Sequence, residues 1–365
     1  MSDLINVAVL FGGRNTEHQV SCQSAVGVLS HLDRARYRVT PVHITVDGVW
    51  VPGVDQGPPA DVSSLLEGFG TGDKGTGDKD TKPLASIAEA LQVLSNVDVV
   101  FPVLHGPFGE DGTMQGLLQM AGTPYVGSGV LASATAMDKE YTKKILATAG
   151  FAVADGVVVR PDDETVGLAD RERLGLPVFV KPARGGSSIG VSRVDDWDDL
   201  AAALDEARSR DSKVLVEAAV HGREIDVAVL EKADGTIVTA PALEIQIAED
   251  RGFFDYEGKY TDAGTTFVIP ADLNATQERL LAEAAVGVFR ALGCAGLLRA
   301  DFFLTERDGH SVPVVNEVNT IPGLTSHSQY PQMWQAAGVS YSRLLDEFIA
   351  TALASGRREV AAVAG

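Results

Sequence analysis

The stretch that most constrains this fold is residues 299–329, R-A-D-F-F-L-T-E-R-D-G-H-S-V-P-V-V-N-E-V-N-T-I-P-G-L-T-S-H-S-Q. Phe302, Phe303, Leu304, Val314, Val315 and Val318 mark two apolar strands, and Asp308-Gly309 between them is a hairpin turn signal. Residues two apart in a strand share a face, so Arg299 accompanies Asp301 and Glu317 accompanies Asn319. A three-residue loop centred on Gly309 sets Asp301 opposite Glu317. Facing carboxylates on buried strands repel unless a cation or a shared proton relieves them. Asp301, Glu317 and the Asn319 amide offer only oxygen, which suits a hard ion. So small a protein donor set fits magnesium, whose shell keeps water and phosphate oxygens. The competing reading, a solvated hairpin with ordinary surface charge, is opposed by the apolar character of both strands.

Upstream, residues 7–11 are a short apolar run ending in Gly12-Gly13, residues 21–32 read as a helix with Ser21 as its cap, and residues 37–44 are a second strand. That order predicts a Rossmann-like α/β unit without the G-x-G-x-x-G fingerprint. Glu17 falls between strand and helix, at the strand end where open α/β sheets bind ligands, although it equally suits a helix N-terminus. Residues 68–82 repeat Gly-Thr-Gly-Asp-Lys and read as a surface insertion. The strand 97–104 delivers His105 into a Gly-rich loop, either as a ligand contact or as a hydrogen-bonding scaffold, and the helix that follows stops at Gly122.

The helix 138–149 carries Lys139, Lys143 and Lys144, which read as solubilising surface charge. The strand 178–180 ends on Lys181, a costly position without an anion. A turn at Gly185-Gly186-Ser187-Ser188 follows, with a strand over 189–194, and its small residues let backbone N–H groups close on a phosphate. Glu217 and Glu224 interrupt strands at 214–218 and 224–230, where they suit an adenine amino group or ribose hydroxyls, or solvent. A further strand is expected at 236–243. Residues 251–267 lack a period and read as a lid, Asn274 caps a helix over 275–292, and 341–353 is a closing amphipathic helix.

At 365 residues the chain exceeds one ordinary core. A net charge of −20 opposes nucleic-acid binding and association with a membrane surface. Cys22 and Cys294 have no metal-ligand spacing and suit a reducing compartment. With no secretion signal and no apolar run of spanning length, the expected location is cytoplasmic.

Taken in order, these segments resemble the D-alanine:D-alanine ligases of the ATP-grasp superfamily. The likeness rests on G-G-x-x-x-E-H-x-V-S, L-H-G-x-x-G-E-D-G-T-x-Q-G, Y-V-G-S-G-V-L-A-S-A-x-A-M-D-K, V-K-P-x-R-x-G-S-S-I-G, D-Y-E-x-K-Y, the R-x-D strand, N-E-V-N-T-x-P-G and T-S-H-S, which span nearly the whole chain. It implies a mixed α/β and α+β three-domain ATP-grasp architecture: a Rossmann-like domain over 1–127, a central subdomain over 128–217 and a C-terminal subdomain over 218–365. It also implies ATP-dependent joining of two D-alanines through an acyl phosphate for peptidoglycan synthesis. The runner-up is a ligase for other D-amino or D-hydroxy acids in antibiotic biosynthesis or self-resistance. By resemblance, Glu17 takes the ammonium of the first D-alanine with Ser187 and Tyr260 beside it, and His105, Ser328 and Gln329 contact substrate. Lys139, Lys181 and Lys259 neutralise phosphates, while Glu217, Val220 and Glu224 hold the nucleoside. Asp301, Glu317 and Asn319 ligate two Mg2+ ions, for which Mn2+ can substitute, and Arg299 and the Gly323 N–H stabilise the oxyanion. A homodimer is the family expectation, and Gln329 stands where Leu or Met is usual.

Overall fold

A computed structural model describes residues 4–69, 82–247 and 265–364, and the apolar runs become strands of three sheets. β1 (Ile5–Gly12), β2 (Tyr37–Ile44), β3 (Trp50–Pro52) and β4 (Val99–Val103) form the first, ordered β3-β2-β1-β4, with β1 parallel to β2 and β4. Residues 7–11 have no exposed surface. A parallel strand covered on both faces has no use for alternating polarity, hence the unbroken apolar run. The helix His18–His31 begins before Ser21, which is therefore not its cap. Ser21 is instead buried in the first turn, where its hydroxyl accepts from the Gly12 N–H at 2.8 Å and donates to the Val103 carbonyl, tying β1 to β4.

β5 (Ala152–Val153) leads into a second, antiparallel sheet of β6 (Gly156–Val159), β7 (Val178–Pro182), β8 (Ser192–Val194) and β9 (Val214–Ala218), ordered β6-β9-β7-β8. β8 starts three residues later than the sequence suggests. Ser187, Ser188 and Gly190 all take positive φ, which ends extended backbone.

The third sheet holds β10 (Arg223–Glu231), β11 (Ile237–Thr239), β12 (Leu243–Ile247), β13 (Thr265–Val268), β14 (Leu297–Arg307) and β15 (His310–Asn319). Its order is β13-β12-β10-β14-β15-β5, with β11 also on β10. The single strand expected over 236–243 is split at Pro241, which has no N–H to extend a ladder. The hairpin turn is also tighter than expected. Arg307 pairs with His310 around a two-residue turn, and Asp308 and Gly309 both have positive φ, as a type I′ turn requires. That turn alone faces Asp301 with Asn316. A bulge between Asp301 and Phe302 inserts Asn316 as the extra residue and restores Asp301 opposite Glu317.

The helix Ala275–Ala291 is capped by Asn274, with Gln277 completing a capping box. It buries Leu281, Ala285, Val288 and Phe289 against Ile225, Val227, Phe302 and Val315 of the third sheet. Residues 132, 136 and 146 join this same core rather than that of the second sheet. The closing helix runs Tyr341–Ala364, and its Leu344, Leu345, Phe348 and Ile349 pack into the core of the first sheet. No helix among the described residues is long and apolar enough to cross a membrane.

Candidate functional site

Three carboxylates lie abreast on neighbouring strands. Asp226 of β10 pairs with Asp301 of β14, and Asp301 with Glu317 of β15. Asp226 is 1% exposed and escaped the sequence reading, although it interrupts apolar residues 225–230 just as Asp301 interrupts its own strand. Arg299, two residues before Asp301, donates from Nε and Nη2 to the two Asp301 oxygens, each at 2.8 Å, and its Nε lies 3.4 Å from Asp226. Burial works against this guanidinium, but Asp301 and Asp226 more than offset it and hold its proton beyond the ordinary arginine range. Asn319 Nδ2 donates to Asp301 at 3.0 Å, so its Oδ1 keeps acceptor capacity. The donor set Asp301, Glu317 and Asn319 thus stays all-oxygen, which fits a hard divalent cation.

Across the cleft, the lysines of the helix Lys139–Thr148 behave unlike the surface charge expected of them. Only Lys144 is open to solvent, with 63% of its side chain exposed. Lys139 Nζ donates to the Gly185 carbonyl at 2.6 Å and sits 3.8 Å from Glu317. Lys143 is buried, and it and Lys181 each approach a separate oxygen of Glu217 at 2.7 Å. The anion that permits a lysine at the end of β7 is therefore supplied by the neighbouring strand. Burial opposes the Glu217 charge, yet the two ammonium groups pull its pKa down to about 2. Burial dominates for Lys143 and lowers it to about 8.

These residues wall a cavity of about 540 Å³ lined by Lys139, Lys181, Glu217, Val220, Glu224, Asp226, Arg299, Asp301 and Glu317. A second cavity of about 440 Å³ is lined by Glu17, His105, Glu110, Ser187, Asn319, Gly323 and Ser328. Lys139, Gly185, Gly186, Arg299, Glu317 and Gln329 line both. Of the described residues, the proposed nucleotide set and Asp301 therefore face the first space, Glu17, His105, Ser187, Gly323 and Ser328 face the second with the metal candidate Asn319, and Arg299, Glu317 and Gln329 border each. Tyr260 and Lys259 lie outside the described residues, as does most of the expected lid.

Glu17 occupies the N-cap position but makes no side-chain cap bond. Its Oε1 instead accepts from Ser187 Oγ at 2.6 Å, joining the loop after β1 to the turn after β7. His105 uses both ring nitrogens. Nδ1 donates to the Ile321 carbonyl at 3.0 Å, which leaves Nε2 to accept from Ser24 Oγ at 3.0 Å, and Ser24 accepts from the Leu324 N–H. Burial lowers its pKa, consistent with a neutral ring acting as scaffold at the cavity wall. Ser328 Oγ is engaged with the Thr325 N–H at 3.0 Å and lies where a side chain at Gly323 would project. Gln329 opens the helix that follows.

Glu110 is a second residue the sequence reading missed. Its oxygens accept from the Gly106 and Ile321 N–H groups, both at 2.9 Å, and so bridge the first sheet's loop to the end of β15. Burial, then Glu17, pushes its pKa up to about 8 against those two donors. Glu110→Ala strips two inward-facing N–H groups of their acceptor and is expected to destabilise the fold by roughly 2–4 kcal/mol. Urea unfolding checks this, and an unchanged midpoint would exclude a bridging role.

Two family models match the chain: D-ala D-ala ligase N-terminus over residues 6–128 and D-ala D-ala ligase C-terminus over residues 145–350. A D-alanine–D-alanine ligase of Mycolicibacterium gilvum is 51% identical over 370 residues, covering 98% of this chain and 99% of the relative. Among solved structures, the VanG D-Ala:D-Ser ligase of Enterococcus faecalis is 34% identical, with a TM-score of 0.78 and coverage of 96% and 100% of the two chains. The Bacillus anthracis D-alanine–D-alanine ligase complexed with ATP is 29% identical, with a TM-score of 0.74 and coverage of 97% and 99%.

Proposed function

The chain belongs to the D-alanine–D-alanine ligase family, and from that premise we propose that it joins two D-alanines, with cleavage of ATP to ADP and phosphate, to make the dipeptide used in cell-wall synthesis. Its fold is that of the ATP-grasp ligases. One observation carries the reading: two cavities share a wall in which Arg299, Lys139 and Glu317 face both, so that a phosphoryl donor and an amino-acid carboxylate can meet there.

In this reaction the carboxylate of the first D-alanine attacks the γ-phosphorus and ADP departs. The neutral amine of the second D-alanine then attacks the acyl carbon, phosphate leaves with the electron pair of the broken C–O bond, and the nitrogen gives up one proton to solvent. Lys139 and Lys181, with Lys259, balance phosphate charge, and Glu217, Val220 and Glu224 border the nucleoside. Asp301, Glu317 and Asn319 would hold Mg2+, two ions with Mn2+ as a substitute, and bound metal would draw charge off the transferring phosphoryl group. Arg299 and the Gly323 N–H act on the oxyanion that develops in the second step. Glu17, held by Ser187 and joined by Tyr260, receives the first ammonium, while His105 fixes the strand end that carries Ile321. Ser328 and Gln329 set the second subsite. The three domains are drawn at 1–127, 128–217 and 218–365, and the enzyme is proposed to act as a cytoplasmic homodimer with no nucleic-acid partner.

Phosphate release tests the reading directly. With ATP and Mg2+, release must depend on D-alanine, and D-alanine-independent or absent release would sink it. Gln329 favours a second possibility at one position only, because the residue lines both cavities and an amide can donate to a side chain on the second amino acid. Supplying one D-amino acid at a time as second substrate, with products identified by mass, is expected to give D-alanyl-D-alanine as the main product. Gln329→Leu is expected to narrow acceptance of D-serine, and an unchanged product ratio removes Gln329 from specificity.

A further inference from the structure

We propose that His18, Cys22 and His43 form a binding site for a thiophilic d-block cation of the Zn2+ or Co2+ type, behind the loop that carries Glu17. One donor atom from each of the three lies within 4.8 Å of those from the other two, and all three residues are buried. His18 and Cys22 stand four apart in the helix His18–His31 and so share one face, while His43 arrives from β2, in register with Phe11. The sequence reading found no ligand spacing for Cys22 because the third donor comes from a separate strand.

The cluster is more than well-packed core. His43 is 4% exposed, and neither of its ring nitrogens has a hydrogen-bond partner among the described residues. Each such orphan costs about 1–3 kcal/mol, so an imidazole here is a poor choice for packing alone. Its ring is stacked on Phe11 at 5.2 Å, with Phe69 edge-on at 5.5 Å, and neither neighbour can hydrogen-bond to it. His18 is already arranged as metal-binding histidines are. Its Nδ1 donates to the Gly13 carbonyl at 2.8 Å, which fixes the tautomer and leaves the Nε2 lone pair as its donor.

Two neutral imidazoles and a sulfur select zinc-like cations and reject magnesium, which separates this cluster from the carboxylates of the third sheet. Zn–N and Zn–S bonds of about 2.0 and 2.3 Å bring the donors closer together than their widest present separation, by about 1 Å, within reach of small side-chain rotations. Binding forms the metal–sulfur bond and releases the Cys22 thiol proton to solvent. Three protein donors leave a tetrahedral position for water. A bound ion would clamp the first turn of the helix, next to Glu17, onto β2.

The test is a Co2+ titration of the untagged full-length chain with Mg2+ in large excess. A single cobalt per chain is expected, with a sulfur-to-cobalt charge-transfer band in the near ultraviolet and a rise in Tm. Cys22→Ala should abolish the band, and His43→Phe, which suits the slot between Phe11 and Phe69, should weaken binding at least about 100-fold. Cys294→Ser should leave both signals intact. Absence of the band at saturating cobalt, its survival in Cys22→Ala, or its loss in Cys294→Ser overturns the proposal. Circular dichroism without metal verifies that each variant is folded, and the wild-type band decides the matter if one is not.

Discussion

Glu317→Gln is expected to lower kcat about 1,000-fold while leaving the fold in place. The substitution is isosteric and removes one negative charge, so it isolates electrostatics from shape. A quarter of the Glu317 side chain is exposed, and Lys139 Nζ stands 3.8 Å away, a partly solvated pair of the kind that adds little to stability. Its position is another matter. It borders both cavities and pairs across the sheet with Asp301, whose own oxygens already serve Arg299 and Asn319. Glu317 thus brings negative charge to the wall that the two cavities share. Losing it weakens charge neutralisation in the phosphoryl-transfer transition state, where a single preorganised contact is worth about 10²–10³ in rate. Steady-state phosphate release over a Mg2+ series measures the effect. Activity within tenfold of wild type, with an unshifted Mg2+ dependence, would remove Glu317 from the metal set.

That carboxylate was legible from the sequence because strand periodicity is rigid: residues two apart share a face, and a charge in an apolar strand stands out. The pairing of Asp301 with Glu317 was anticipated, but from a three-residue loop, where the molecule uses a type I′ turn and a bulge at Asn316. A bulge leaves no composition signal, and two different backbone solutions yield the same facing pair. Asp226 carried the same signal as Asp301, yet its neighbour in space is set by the order β10-β14-β15, which local pattern does not contain. Lys143 was misread for a related reason. A lysine on an amphipathic helix is solubilising unless an anion waits beneath it, and Glu217 lies 74 positions away on another element. Glu110 was likewise obscured, since its partners are backbone N–H groups, one of them at Ile321. Side-chain identity reveals charge, whereas buried charge is decided by partners that only the tertiary fold brings together.

The Glu217 cluster yields the largest expected effect on stability. Two lysines converge on this one carboxylate inside the protein, so Glu217→Gln leaves Lys143 and Lys181 facing each other without an anion. Breaking a buried pair from one side costs about 3–5 kcal/mol. The titration of Glu217 gives a similar size. Its folded pKa of about 2 lies below the ordinary 4.5, and that difference corresponds to about 3 kcal/mol. Because the folded value is the depressed one, this stabilisation is fully present above pH 4.5 and is lost as pH falls towards 2. Urea unfolding at neutral pH should therefore show the full deficit of the variant, and the gap should close under acid as wild-type Glu217 takes up its proton. Lys143 limits the loss. Burial already lowers it to about 8 beside Glu217, so without that carboxylate it sheds its proton near neutrality and relieves part of the repulsion. Adding Lys143→Met should accordingly recover stability relative to Glu217→Gln alone. A cycle of the two changes measures their coupling, expected at 1 kcal/mol or more in magnitude, roughly the range for residues in one ion-pair network. A coupling near zero, or a single-variant loss of about 0.5 kcal/mol as at ordinary surface sites, would mean that Glu217 is solvated and free to serve the nucleotide alone.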